Sequence, residues 1–72
     1  MRYWTRCISG KYSVLYRLDR ISGAFELLVG CDWRDSSDRY RRVTWDTDHR
    51  EISQSEANLI AKAILNKEPL LC

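Results

Sequence analysis

Arginine, tryptophan and tyrosine combine a large contact area with a polar or cationic end, and for that reason they carry much of the binding energy at interfaces. The chain is rich in all three: nine of its twelve cations are arginine, and it holds three tryptophans and four tyrosines. Arg34, Arg39, Arg41, Arg42 and Arg50 lie within seventeen residues, interleaved with Asp32, Asp35, Asp38, Asp46 and Asp48. This interleaving has two readings, a solvated face whose charges neutralise one another or a recognition surface. Of the tryptophans, Trp33 and Trp45 are expected to fill core and Trp4 to be at least partly exposed.

Catalytic and metal chemistry finds little support. His49 is the only histidine, and no local signature pairs it with a cysteine as base and nucleophile, so it reads as an exposed loop residue. Asp46, Asp48, His49 and Glu51 make an acidic loop without the spacing or the glycine of a calcium-binding loop. Cys7, Cys31, Cys72 and His49 lack the paired spacing of a zinc site. There is no glycine-rich phosphate cradle. No cofactor is expected, and the chain is not expected to be an enzyme. Three cysteines without CxxC spacing, behind a start that lacks the apolar run of an export signal, read as free thiols in a cytoplasmic protein; an oxidising compartment would allow a Cys7 to Cys31 disulfide as the lesser alternative. No stretch is long enough to span a membrane.

Seventy-two residues must position these side chains in one small domain. Surface scaling gives an accessible area of about 4,700 Å² folded, with about 60% of the unfolded surface buried. Residues 2 to 8 alternate with aromatic and β-branched types, as a strand does. Ser9-Gly10-Lys11 supplies a turn, and Tyr12, Val14, Tyr16 and Leu18 repeat with period two in a second strand. After Ile21-Ser22-Gly23, the stripe Phe25, Leu27, Val29, Cys31 and Trp33 forms a third strand, in which Gly30 marks a bulge or a close contact. Asp35-Ser36-Ser37-Asp38 reads as a hairpin tip, and residues 40 to 45 as a fourth strand.

The period changes after Ile52. Ser53 and Glu56 have the spacing of a capping box, and Ala57, Ile60, Ala61, Ile64 and Leu65 share one face of the helix that follows. That helix ends near Lys67, ahead of Pro69. Leu70, Leu71 and Cys72 form an apolar tail that covers the sheet edge or meets a partner. The expected fold is α+β, a four-stranded antiparallel meander with one C-terminal helix on one face (ββββα). With Val14, Tyr16, Leu27, Val29 and Val43 under the helix, the open face carries Leu15, Arg17, Asp19, Glu26, Leu28, Tyr40 and Arg42, with Trp4 or Tyr3 at its edge.

Trp33-Arg34-Asp35, Arg41-Arg42, Val43-Thr44-Trp45-Asp46-Thr47 and Glu56-Ala57 resemble the arm-binding, AP2-like N-terminal domains of tyrosine recombinases. The likeness covers about residues 24 to 65. Those domains lay a three-stranded sheet in the DNA major groove and brace it with a helix. By that resemblance Arg17, Arg34, Arg41 and Arg42 are the candidate DNA contacts, with Trp4 and Tyr40 packing on the backbone. The chain departs from the pattern in a longer link to the helix, a turn without glycine and six aspartates that dilute the basic field.

Composition and the lack of a catalytic constellation point first to a small non-enzymatic binding protein. It would act through the open sheet face as an inhibitor or adaptor of the kind phages and other mobile elements direct at host or defence complexes. A DNA-binding accessory or regulatory protein is the alternative. No membrane partner is expected, and an edge strand or the Leu70-Leu71 tail offers a route to a homodimer.

Overall fold

A computed structural model describes all of residues 1–72. The chain is an α+β protein with a five-stranded antiparallel sheet in the order β4-β3-β2-β1-β5, formed by β1 Arg2–Ile8, β2 Lys11–Leu18, β3 Phe25–Val29, β4 Asp32–Asp35 and β5 His49–Ile52. Two helices accompany it, α1 Tyr40–Trp45, entered through a 3-10 turn at Ser37–Arg39, and α2 Gln54–Asn66.

The four-stranded meander is present, but its fourth strand comes earlier than the sequence pattern implies. The third strand ends at Val29, and Gly30 and Cys31 form a two-residue hairpin turn that sets Val29 opposite Asp32 and Leu28 opposite Trp33. Gly30 has φ +64°, and a Cβ there would touch nothing within 4 Å, so the position needs glycine for its backbone angle rather than for space. The period of two continues through the turn as though one strand ran on. Trp33 consequently faces the side of Leu28, not that of Phe25. The first hairpin also turns on two residues, Ser9 and Gly10, both with positive φ.

Residues 40 to 45 are helical, not a strand. Arg41, Val43 and Trp45 alternate as a strand would, yet Tyr40 and Val43 are three apart, and one helical turn brings both into the aromatic cluster around Phe25. The loop expected after Trp45 supplies an unforeseen strand, β5, which pairs antiparallel with β1 from Tyr3↔Ile52 to Arg6↔His49.

Both faces of the sheet are covered at the centre. On one face Tyr3, Leu15, Leu28 and Ile52 pack against Ala57 and Ile60 of α2. On the other Trp4, Tyr16 and Phe25 pack against Val43 of α1. The helix thus lies over Leu15 and Leu28, the face opposite to the one the sequence pattern assigns, and the expected open face does not exist. Splitting the apolar residues into two clusters leaves an accessible surface of 5129 Å², somewhat above the roughly 4,700 Å² expected for this mass.

α2 starts and stops where its sequence directs. Ser53 Oγ accepts from the Glu56 amide at 3.2 Å while Glu56 Oε1 accepts from the Ser53 amide at 3.5 Å, the reciprocal capping box. Lys67, in the left-handed region at φ +55°, ends it. The tail then folds back. Tyr12 donates to the Leu70 carbonyl at 3.0 Å, Cys72 donates to Gly10 at 3.1 Å, and Leu70 packs against the α2-side core while Leu71 points outward.

Cys7 and Cys72 are joined in a disulfide with Cα atoms 6.2 Å apart, which corrects both the expectation of three free thiols and the alternative pairing of Cys7 with Cys31; only Cys31, exposed in its hairpin turn, is free. No helix is long and apolar enough to cross a membrane. The cross-link spans 65 positions, and closing a loop of that length stabilises a fold by about 4 kcal/mol in the chain-entropy account. Cys72→Ser should therefore lower the urea midpoint markedly, and reductant should do the same to the unsubstituted protein while leaving the variant unchanged.

Candidate interaction surface

The 3-10 turn and α1 are anchored at both ends by local hydrogen bonds. Ser36 is buried and donates its amide to the Phe25 carbonyl at 2.8 Å, which docks the entry of the segment onto β3. Asp35 accepts from the Ser37 amide at 3.4 Å and from its hydroxyl at 3.2 Å. At the exit, Asp46 donates its amide to Arg42 at 2.9 Å and accepts from the Asp48 amide at 2.9 Å. Val43 is the one residue of α1 that is fully buried, so the rest of the helix surface faces outward.

That outward surface carries Arg39, Arg41, Arg42 and Trp45. Trp45 is 76% exposed, with the Arg41 guanidinium 5.3 Å from its ring centroid. Arg34 is exposed on β4, which neighbours only β3 and so forms one edge of the sheet. Arg2, Arg6, Arg17 and Arg50 form ion pairs with Glu51, Asp48, Glu26 and Glu56, whereas Arg20, Arg34, Arg39, Arg41 and Arg42 form none. The interleaved aspartates do not pair with these arginines. Asp35 and Asp46 instead accept backbone amides in turns.

The six candidate residues from the sequence therefore separate. Arg34, Tyr40, Arg41 and Arg42 are exposed on or beside the 3-10 turn and α1. Arg17 is on the opposite face, half-buried, with Nε donating to Glu26 at 3.0 Å and its guanidinium 4.1 Å from the Trp33 ring centroid, so its polar groups are already engaged. Trp4 is 4% exposed and belongs to the core. The expected roles of the tryptophans are reversed, with Trp4 inside, Trp45 outside and Trp33 half-buried. Trp45 is the exposed side chain of this surface that sequence reasoning missed, and Arg39, part of the arginine cluster read from the sequence, joins the candidates. The four-residue spacing of Arg41 and Trp45 points to Trp45 once the segment is read as a helix.

Beneath this surface, a groove of about 300 Å³ is lined by Arg6, Arg39, Arg42, Asp46, Asp48 and His49 among others. His49 is half-buried in β5 rather than in an exposed loop, edge-on to Tyr16, and its Nδ1 is buried without a hydrogen-bond partner. Burial, and after it the nearby Arg6, holds its pKa below the ordinary 6.5, although Asp46 and Asp48 pull the other way. No group of three or more histidine, cysteine or acidic side chains is arranged to hold a metal ion. Comparison with protein-family models, curated proteins and solved structures finds no match to this chain.

Two predictions follow the placement of these side chains. A histidine whose folded pKa is depressed binds its proton more readily in the unfolded chain, so its contribution to stability is complete above 6.5 and declines as pH falls below that value. Melting temperatures measured across this window should show a decline that His49→Gln reduces. Trp4→Ala should cost about 3–5 kcal/mol as a core truncation, whereas Trp45→Ala should stay within about 0.5 kcal/mol; denaturant unfolding of the two variants checks the exchange of roles.

Proposed function

We propose that the protein is a small non-enzymatic binding protein that meets an acidic protein surface through the outward side of its 3-10 turn and α1. The observation that carries this reading is the set Arg34, Arg39, Arg41 and Arg42, none of them ion-paired, beside a tryptophan that is largely in solvent. Exposed tryptophan and arginine without an intramolecular carboxylate are side chains whose desolvation by a partner is well repaid. The sheet face first considered for this role is covered by α2, and the surface proposed here is instead the outward side of α1, which packs on the other face. The inhibitor or adaptor class, directed at a host or defence complex as phage and other mobile-element proteins are, rests on small size and charge balance, and the choice of surface is independent of it.

Duplex DNA is the second reading. It is favoured by the same unpaired arginines and by the likeness of residues 24 to 65 to recombinase arm-binding domains. DNA would meet α1 and Arg34 rather than the centre of the sheet.

The test is a pull-down with the unsubstituted protein, an Arg41→Glu, Arg42→Glu double variant and Trp45→Ala, joined to anisotropy titrations against random duplex DNA. A stoichiometric protein captured by the unsubstituted chain should be lost with both variants, since charge reversal and loss of an anchor each cost about 2 kcal/mol or more at a hot spot. Equal capture by all three removes α1 from the reading. DNA binding that weakens steeply with salt, and whose salt slope falls by about one unit for each arginine replaced, favours the second reading.

A further inference from the structure

A second concavity, of about 470 Å³, lies on the other side of Tyr40 from the arginine groove, between the start of β1, the end of β2 and the 3-10 turn. Its apolar lining is Leu18, Phe25 and Tyr40, and its volume falls in the range of sites that seat small ligands or side chains. Tyr40 is 40% exposed, and its ring stands edge-on to Phe25 with centroids 5.3 Å apart at 82°. A third ring added on the open side of Tyr40 would extend the same aromatic arrangement.

The charged lining is two guanidinium groups, Arg2 and Arg20, against one carboxylate, Asp19. Arg2 is held in place by two hydrogen bonds to Glu51, at 2.8 and 2.6 Å, and lies 4.9 Å from the Trp4 ring centroid. Arg20 forms no ion pair. Asp19 accepts from the Ile21 amide at 2.9 Å and the Ser22 amide at 3.4 Å, so its charge is directed into its own turn. The neighbouring backbone donors are also engaged, Gly23 to the Asp19 carbonyl and Ser37 to the Asp35 side chain. A phosphate, which needs several donors at once, is poorly served. A single carboxylate on Arg20 is well served.

We propose that this groove seats an aromatic side chain of the partner protein, with a carboxylate residue next to it in the partner's sequence lying on Arg20. The proposal rests on the protein-binding reading above and adds to it the chemistry of the partner's anchor. Tyr40 belongs to both surfaces, so one continuous partner segment can reach the groove and the arginines of α1.

The experiment is an NMR titration of isotope-labelled full-length protein with the peptide Ac-Gly-Phe-Asp-Gly-NH2, beside versions with alanine for phenylalanine and lysine for aspartate. Saturable amide shifts at residues 18–25 and 37–40 are expected with the first peptide. Both altered peptides should bind more weakly, and Arg20→Gln should raise the Kd of the first peptide by about threefold to fivefold, the loss of one exposed ion pair. No saturable shift by about 10 mM, a limit near −2.7 kcal/mol, overturns the proposal. So do shifts confined to residues 41–45, or equal binding of the lysine peptide. Peptide binding is read on the unsubstituted protein and Arg20→Gln, and partner capture on the α1 variants, so failure of the α1 surface and failure of this groove are read separately.

Discussion

The Phe25 ring holds four parts of the chain together. It stacks on Tyr16 of β2 with centroids 5.3 Å apart, meets Trp4 of β1 edge-on at 5.9 Å and receives Tyr40 of α1 edge-on. It is itself 1% exposed. Each such pair adds about 0.5–1.5 kcal/mol beyond the area it buries. In a chain this short the arrangement has a structural consequence: a six-residue helix is too short to persist alone, and α1 is helical because Tyr40 and Val43 have this cluster to pack on. The candidate surface therefore depends on the interior. Trp45 and the arginines are presented outward because the opposite side of the same short helix is anchored to Phe25.

The legible parts of the fold were those with local, redundant signals. The first two strands, the hairpin at Ser9-Gly10 and the capped helix ending near Lys67 each combine a period with a turn or cap residue that agrees with it. The rest was hidden by physics that single residues do not reveal. A two-residue turn preserves the alternation of a strand, so in the sequence pattern Gly30 reads as a bulge or a close contact instead of a reversal. Residues 40 to 45 satisfy both periods, and only the tertiary cluster decides between them. β5 has too few residues to announce itself and exists because β1 offers it a free edge. Of the candidate site, the arginine cluster could be read from sequence, while the places of Trp4 and Trp45 depended on the side of the sheet that each helix covers.

The acidic and basic residues of the middle segment have different work. Aspartate is short and accepts backbone amides within its own turn, as Asp19, Asp35 and Asp46 do. Arginine is long and reaches past its neighbours into solvent. In the middle segment Asp35 and Asp46 are turned to backbone amides and Asp48 pairs with Arg6 of β1, so none of the three neutralises Arg34, Arg39, Arg41 or Arg42. Net charge is a poor guide to such a surface, because it does not say which charges are paired.

The disulfide between Cys7 and Cys72 closes residues 7–72 into a covalent ring. The loop between β2 and β3 carries Arg20 beside Ile21, which is 99% exposed, an accessible place for a trypsin-like protease to cut. A single cut there opens the ring without releasing a fragment. The two pieces stay tethered through Cys7 and Cys72 and remain paired along β1 with β2 and β1 with β5. Mass alone would scarcely register the event under oxidising conditions, and the nicked molecule would keep its α1 surface while losing the continuity of the loop that carries Arg20.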